Sequence, residues 1–457
     1  MRRENSALRG LLAEARWTEE ALARRVNALA REISLATRLD RRSVSHWLAG
    51  RQPRPPLPEL IAEALARRLQ RPLSAAQAGL ASPKAAVQPD ELKEDPLETL
   101  EILCKLAEGG RETDQGGVYS LAELEGLHAW PADDLFRPPF RAAHGTRLEP
   151  EHVVAAQQMA KVFVDADSVF GGGYARAALA RYMAYDIAPR LRAPARREIR
   201  KRMLSVATEL AYLCGFMCFD DEQNAIAQRY YRAALKLSIE NDDPVAYALT
   251  LRAMSVQART LGHVREALSL AEAAVASVQD CGCEVPDSQR ASLYGPLAVA
   301  AAAQGDREAA LAALTCAQQL AGGGGGLAGG EPEQRPIGRY HAASHAYQEA
   351  VVRALLGDRS GAIRGLSESV RRRAADERRS RAITLAGLAE LHLDQGHLDE
   401  SIAACHAFID DYPPLRSSRA ETALHRLTAR LRPHAAHHSA RQLLVRAAAV
   451  SALREPG

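Results

Sequence analysis

Residues 40–55 read DRRSVSHWLAGRQPRP, and their types suit contact with a nucleic-acid groove. Asp40 is a good helix N-cap, because its carboxylate can accept a bond from a first-turn amide that has no intrahelical partner. Val44, Trp47 and Leu48 then recur at i, i+3 and i+4 as one apolar stripe. Arg41, Arg42, Ser43, Ser45 and His46 are left on the opposite side. Gly50 can take the left-handed conformation that ends the helix, and Pro53, Pro55 and Pro56 keep it from restarting. A guanidinium fork binds a guanine edge with two bonds or pairs with a phosphate oxygen. Arg41, Arg42, Ser43, Ser45 and His46 are therefore candidates for a DNA major groove, and Arg51 and Arg54 for its phosphates. The plainer reading is a solvated basic face on a small helical domain.

Other constellations point to less. Cys214 and Cys218 stand i, i+4 on a helix and Cys281 and Cys283 lie near a turn, but a second matched pair at ligand spacing is missing, so buried thiols are expected rather than zinc. His434, His437 and His438 read as a solvated polar face. Asp220, Asp221 and Glu222 are adjacent and point in different directions, which suits a helix N-terminus better than a carboxylate dyad. Gly171, Gly172 and Gly173 follow no strand and precede no Lys-Ser/Thr, so a tight turn between packed helices is expected, not a phosphate cradle. No Ser/His/Asp or Cys/His arrangement, P-loop or dinucleotide fingerprint is found. Nothing in the sequence points to an enzyme, a metal or a cofactor.

The elements that must position these residues are helices. The 457-residue chain is 47% hydrophobic and only 5% aromatic, with Ala and Leu dominant, which predicts nearly all helix. The net charge of +3 is unevenly placed: residues 1–71 hold 15 Arg, no Lys and 8 acids, net +7, whereas the remainder has 44 basic against 48 acidic residues. No apolar signal core opens the chain, and no run of about 18 apolar residues is evident. A cytoplasmic protein without membrane contact is the expectation, with its seven Cys reduced.

Helices are expected over residues 6–15, from a Thr18 cap to about Arg31, at 57–69 and briefly after Ser74. Residues 32–39 form a longer connection than the tight turn usual between the two helices of a helix-turn-helix. Residues 81–117, rich in Pro and Gly, read as a linker around a helix at 97–108. Helices at 120–128 and 149–168 follow. Gly262, Gly305, Gly357 and Gly396 then sit in interhelix turns, each followed five residues on by a small residue: Ala267, Ala310, Ala362 and Ser401. Gly215, Ala227, Tyr231 and Ala234 keep the spacing of one more unit. Small residues there let antiparallel helices approach closely. Gly322–Gly330 is low-complexity and reads as a mobile loop, and final helices at about 417–431 and 435–453 would cap the open end.

The repeating part resembles the tetratricopeptide repeat, although its glycine spacings of 43, 52 and 39 exceed that family's 34. The resemblance implies a concave groove lined by the first helix of each pair, with Tyr212, Phe216, Arg252, Arg259, Tyr347 and Glu390 facing it. Taken together, DRRSVSHWLAGRQPRPP, FGGGYARAALARYMAYDIAP and CGFMCFDDEQNAIAQRYYRAAL resemble actinobacterial transcriptional regulators with an N-terminal helix-turn-helix and C-terminal tetratricopeptide repeats. That implies a role in development or secondary metabolism.

The expectation is an all-α protein: a small helix-turn-helix domain at 1–82, a linker with a short helix at 83–120, a helical connecting region at 121–205 and an α-solenoid of tetratricopeptide-like repeats at 206–457. Its function would be a transcriptional regulator that binds double-stranded DNA, probing two half-sites as a homodimer, with the repeats sensing a peptide, protein or small-molecule effector. The alternative is an interaction scaffold whose helix-turn-helix no longer binds DNA, favoured by the long connection at 32–39.

Overall fold

A computed structural model of the chain describes residues 4–32, 35–80, 95–108, 118–124, 126–127, 130, 147–279, 284–323 and 340–453, and no strand occurs among them. Four helices come first: α1 (Ser6–Ala15), α2 (Glu19–Glu32), α3 (Arg41–Leu48) and α4 (Leu57–Leu69). Three start at side-chain caps. Asn5 Oδ1 accepts the Leu8 amide at 2.9 Å, Thr18 Oγ1 the Ala21 amide at 3.2 Å, and Asp40 Oδ1 the Ser43 amide at 2.9 Å. Their apolar stripes meet in one core containing Leu8, Leu22, Val26, Trp47, Leu48 and Ile61, all buried. Gly50 closes α3 at φ +88°. The long connection into α3 is tied down by one side chain: Asn27 Oδ1 accepts the Leu39 amide and the Thr37 hydroxyl, each at 2.9 Å, and Nδ2 donates to the Leu39 carbonyl at 2.8 Å.

After Ser74 the expected short helix is a run of turns instead, because five residues are too few to offset helix nucleation. Those turns are held by Asn5 Nδ2, which donates to the Ala78 and Gly79 carbonyls at 3.0 Å. α5 (Pro96–Glu108) follows, then a single 3₁₀ turn (Leu121–Leu124) where a helix over 120–128 was expected; Gly126 at φ +80° breaks it. α6 (Pro150–Phe170), α7 (Gly172–Tyr182) and α8 (Ala188–Arg192) lead into the repeats.

Six helix pairs follow among the described residues: α9 (Arg197–Asp220) with α10 (Asn224–Glu240), α11 (Pro244–Thr260) with α12 (Val264–Gln279), α13 (Asp287–Gln304) with α14 (Arg307–Gly323), α15 (Ala342–Leu355) with α16 (Arg359–Arg372), α17 (Arg378–Asp394) with α18 (Leu398–Asp411), and α19 (Ser418–Leu431) with α20 (His438–Ala452). The protein is an α-solenoid. Gly262, Gly305, Gly357 and Gly396 all have positive φ in the turns within pairs, and Ala267, Ala310, Ala362 and Ser401 are fully buried one turn later. In the first pair the turn is taken by Glu222 at φ +57°, and Ala227 fills the buried position five residues on. Gly215 lies inside α9, where an added Cβ would stand 2.7 Å from the Tyr231 ring.

The wide glycine spacings have two sources. Helices of up to 18 residues and the segments between pairs, at 280–286 and 324–341, lengthen the unit. Most of Gly322–Gly330 lies outside the described residues. One helix, α9, does reach the length and apolarity of a membrane span, with a mean hydropathy of 1.3, but 83% of that window is buried inside the protein. It is the first helix of the first pair.

The two ends of the solenoid are joined. α6 packs against both α9 and α17, and a buried ion pair links Asp167 to Arg379 at 3.0 Å across 212 residues of sequence. Burial, only partly offset by Arg379, pushes the Asp167 carboxyl up to about 6. The Arg379 guanidinium also lies 4.6 Å over the Phe216 ring. Beside this pair the three glycines run against the chain at Arg416, whose carbonyl accepts the Gly173 amide at 2.8 Å and whose amide donates to Phe170. At Gly172 a Cβ would stand 2.4 Å from the Met217 carbonyl oxygen and 2.8 Å from its Cα. Gly171, at φ +83°, makes the turn between α6 and α7, and Gly172 and Gly173 open α7 in close packing.

Backbone cannot retreat as a side chain can, so Gly172→Ala should destabilise the protein by about 1–3 kcal/mol. Gly10 has open space around its Cβ position within α1, so Gly10→Ala should stabilise by up to about 1 kcal/mol. Thermal unfolding of the two variants checks both signs.

Candidate functional site

The first surface is the outer face of α3. Arg41, Arg42, His46, Arg51 and Arg54 are exposed, and Val44, Trp47 and Leu48 are buried beneath them. Arg41 lies 3.6 Å from Glu19 at the start of α2. The two serines are engaged within the protein: Ser43 completes a capping box with Asp40, and Ser45 Oγ donates to Glu19. The Asp40 carboxyl is held below its ordinary value by the Ser43 amide and hydroxyl. What remains for a ligand is Arg42 and His46 on a capped helix, with Arg51 and Arg54 just beyond its end and Arg41 beside Glu19.

The second surface is the inner face of the first helices of the pairs. Between Ala246 and Arg259 of α11 every residue is buried except Arg252, Val256 and Arg259, which are partly exposed and fall on one stripe. Arg252 Nη2 donates to the Tyr212 hydroxyl of α9 at 2.8 Å. Tyr340 lies close enough to feel the Arg252 charge, and its hydroxyl hydrogen-bonds His345 Nδ1 at 2.9 Å. Arg259 has Tyr347 and Arg419 as electrostatic neighbours. The structure thus brings Tyr212, Arg252, Arg259 and Tyr347 to one face. Phe216 is there too, but Arg379 covers its ring. Glu390 is engaged instead by Arg426 of α19, between the fifth and sixth pairs.

Sequence reasoning missed Tyr340, Arg373 and Arg419. Arg373 pairs with Glu377 at 3.0 Å, and Arg419 lies 4.7 Å over the Phe219 ring and 3.9 Å from Asp220. These arginines are at or beyond helix ends and carry no periodic signal. Asp220, Asp221 and Glu222 prove to be at the C-terminal end of α9, not at a helix N-terminus. They join the ends of the solenoid: Asp220 accepts the Gly172 amide at 3.0 Å, Asp221 the Ser418 hydroxyl at 2.8 Å and Glu222 the Thr422 hydroxyl at 3.0 Å.

The remaining constellations carry no ligand geometry. Cys214 and Cys218 are buried thiols; Cys281 and Cys283 lie outside the described residues. His437 stands 3.9 Å from Asp399 near the start of α20, and among the described residues no group of three or more His, Cys, Asp or Glu could hold a metal ion.

A buried joint connects the two surfaces. Glu63 of α4 accepts the Arg67 guanidinium at 3.0 Å and the Leu121 amide at 3.2 Å, and His263, in the turn four residues after Arg259, lies 3.5 Å from it. The His263 ring stacks on Tyr119 with centroids 5.4 Å apart. Next to it Gln228 clamps the Ser120 backbone with two bonds, at 2.9 and 2.8 Å. The N-terminal helices and the first repeats consequently share one continuous core. Burial and Arg67 outweigh the nearby Glu63 and push the His263 imidazole down to about 3.

The fold is that of a helical repeat protein, and known proteins resemble it in part. Residues 8–81 match the family described as the SP15 N-terminal domain. No curated protein sequence matches the chain. Among solved structures, the nearly identical TPR-like repeats of a kinesin light chain-type protein from Podospora anserina align at 19% identity, covering 47% of this chain and 100% of that one with a TM-score of 0.34. The Cut9–Hcn1 hetero-tetramer of the APC/C aligns at 14% identity, covering 90% of this chain and 68% of that one with a TM-score of 0.33.

His263 is neutral and buried in the folded protein but titrates normally once unfolded. Stability is therefore full above the ordinary value of 6.5 and falls as pH drops through the window from 6.5 to about 3. The expected slope from this group is about 1.4 kcal/mol per pH unit. His263→Gln should flatten that part of the stability–pH curve, measured by denaturant unfolding; an unchanged slope would show that the joint is not proton-sensitive.

Proposed function

We propose that this chain is a protein-interaction regulator whose repeats hold a segment of a partner against the inner stripe of α11. One observation carries the reading. Arg252, Val256 and Arg259 form the accessible line along the middle of α11, where every other residue from Ala246 to Ala258 is buried, and Tyr212 and Tyr347 flank it. Aromatic rings and arginines are the side chains that most often anchor a bound peptide. The joint at Glu63 and His263 then gives the N-terminal domain a fixed place relative to that segment.

A photo-reactive benzoyl-phenylalanine at Val256 should form a covalent adduct with a partner in the cells that make the protein. The same residue at Leu311, which is 45% exposed on α14, should give none. Equal labelling at both positions would refute the assignment of this face.

A second reading is favoured by the first surface: Arg42, His46, Arg51 and Arg54 are exposed and enter no ion pair among the described residues. On this reading the N-terminal domain binds double-stranded DNA in the cytoplasm, two copies meet two half-sites, and occupancy of the repeats sets the output, in line with the actinobacterial regulators the sequence resembles. Replacing Arg51 with Ala should reduce the slope of log affinity against log salt by about 1. Affinity for duplex DNA that does not change with salt would remove DNA binding from the account.

A further inference from the structure

The geometry points to Arg252 and Arg259 as a receptor for an acidic peptide segment, one carboxylate on each guanidinium. This rests on the reading of the repeats as a partner-binding surface, and it names the chemistry that surface selects. The two residues are seven apart on α11, hence on one face and roughly 10.5 Å apart along the axis at 1.5 Å per residue. Val256 lies between them on the same stripe.

Among the described residues neither arginine is matched by an acid of its own. Arg252 bonds the neutral Tyr212 hydroxyl at 2.8 Å, while its Nε is buried without a hydrogen-bond partner. For Arg259 no carboxylate stands within ion-pair distance among the described residues; burial lowers its basicity, partly offset by Tyr347, and Arg419 lowers it further. The acids of the neighbouring elements are already engaged. Asp167 holds Arg379, Asp220 accepts Gly172 and lies near Arg419, Glu377 is shared by Arg373 and His341, and Glu349, which also acts on Tyr340, pairs with Arg353. Burial pushes the Tyr340 phenol, near Arg252, further from ionisation, so it supplies no counter-charge there. A half-buried cation without a counter-charge is electrostatically in deficit, and a carboxylate that arrives with two hydrogen bonds repairs it.

The spacing also limits the ligand. In an extended chain, side chains three residues apart stand about 10 Å from each other, and in a polyproline II conformation they point to the same side. Two acids separated by two residues, Glu-x-x-Glu, fit the two arginines. Phe216, the ring best suited to stacking a base, is covered by Arg379.

The test is selection of a random dodecapeptide library on the full-length protein. Wild type should enrich peptides with two acidic residues three apart, about ten-fold over the Gln counterparts. Arg259→Met, which keeps the apolar stem, should lose that preference while unfolding at the wild-type temperature, and Arg259→Lys should recover part of it. Arg252→Met is the independent second variant and should behave as Arg259→Met does. Enriched peptides without an acidic excess would overturn the acid receptor and leave the partner-binding reading standing. No enrichment over a blank surface would overturn both. Displacement of the selected peptide by an equal concentration of oligothymidylate, with no dependence on Arg259, would assign the site to a nucleic-acid strand and overturn the proposal.

Discussion

The ion pair between Asp167 and Arg379 is the contact on which the architecture depends. A solenoid of helix pairs ordinarily has two free ends, each exposing an apolar face that a capping element must cover. Here the first pair and the fifth meet through α6, and the joining residues are charged and buried. Removing one partner would leave an uncompensated ion in the interior, so the pair is expensive to break even though forming it gains little. Phe216 beneath Arg379, and the Arg416 backbone lying along the three glycines, extend the same contact. The closure gives the inner stripe of α11 an enclosed setting, where half-buried arginines are screened less than they would be on an open concave surface.

A second consequence follows at the other edge of α11. His263 comes four residues after Arg259 and lies against Glu63 of α4, which packs on α2, the helix that supports α3. Because interiors are close-packed, a shift at the end of α11 cannot be absorbed locally and must move either the turn or α4. The joint is thus a physical route between the two surfaces. Coupling along it requires that a bound segment favour one arrangement of the turn over another.

The repeating part of this fold was readable because its constraints are local. A turn that needs positive φ favours glycine, and a close helix crossing favours Ala or Ser five residues later, so Gly262 with Ala267 and Gly396 with Ser401 announce themselves. Asp40, with Ser43 three residues on, is likewise a local signature of a helix start. The closure and the joint left no such trace. Asp167 and Arg379 are 212 residues apart, and neither belongs to a periodic pattern. Glu63, with Arg67 at i+4, looks like an ordinary exposed helical pair until Leu121 and His263 cover it. Ser43 and Ser45 had the right types and the right face for DNA, but Asp40 and Glu19 compete for their hydroxyls. The misjudged acids at 220–222 show the same limit: their place at a helix end was legible, and which end was not.

Hydrogen exchange tests the closure most directly. The amides of Gly172, Gly173 and Arg416 donate to Asp220, to the Arg416 carbonyl and to Phe170 respectively, so all three report on the seam between the solenoid's ends. In the wild-type protein they should exchange slowly and together. In Arg379→Ala they should exchange far faster, while amides inside α12 and α14 keep their protection. Fast exchange of the three seam amides in the wild type, or seam protection unchanged by Arg379→Ala, would contradict the account.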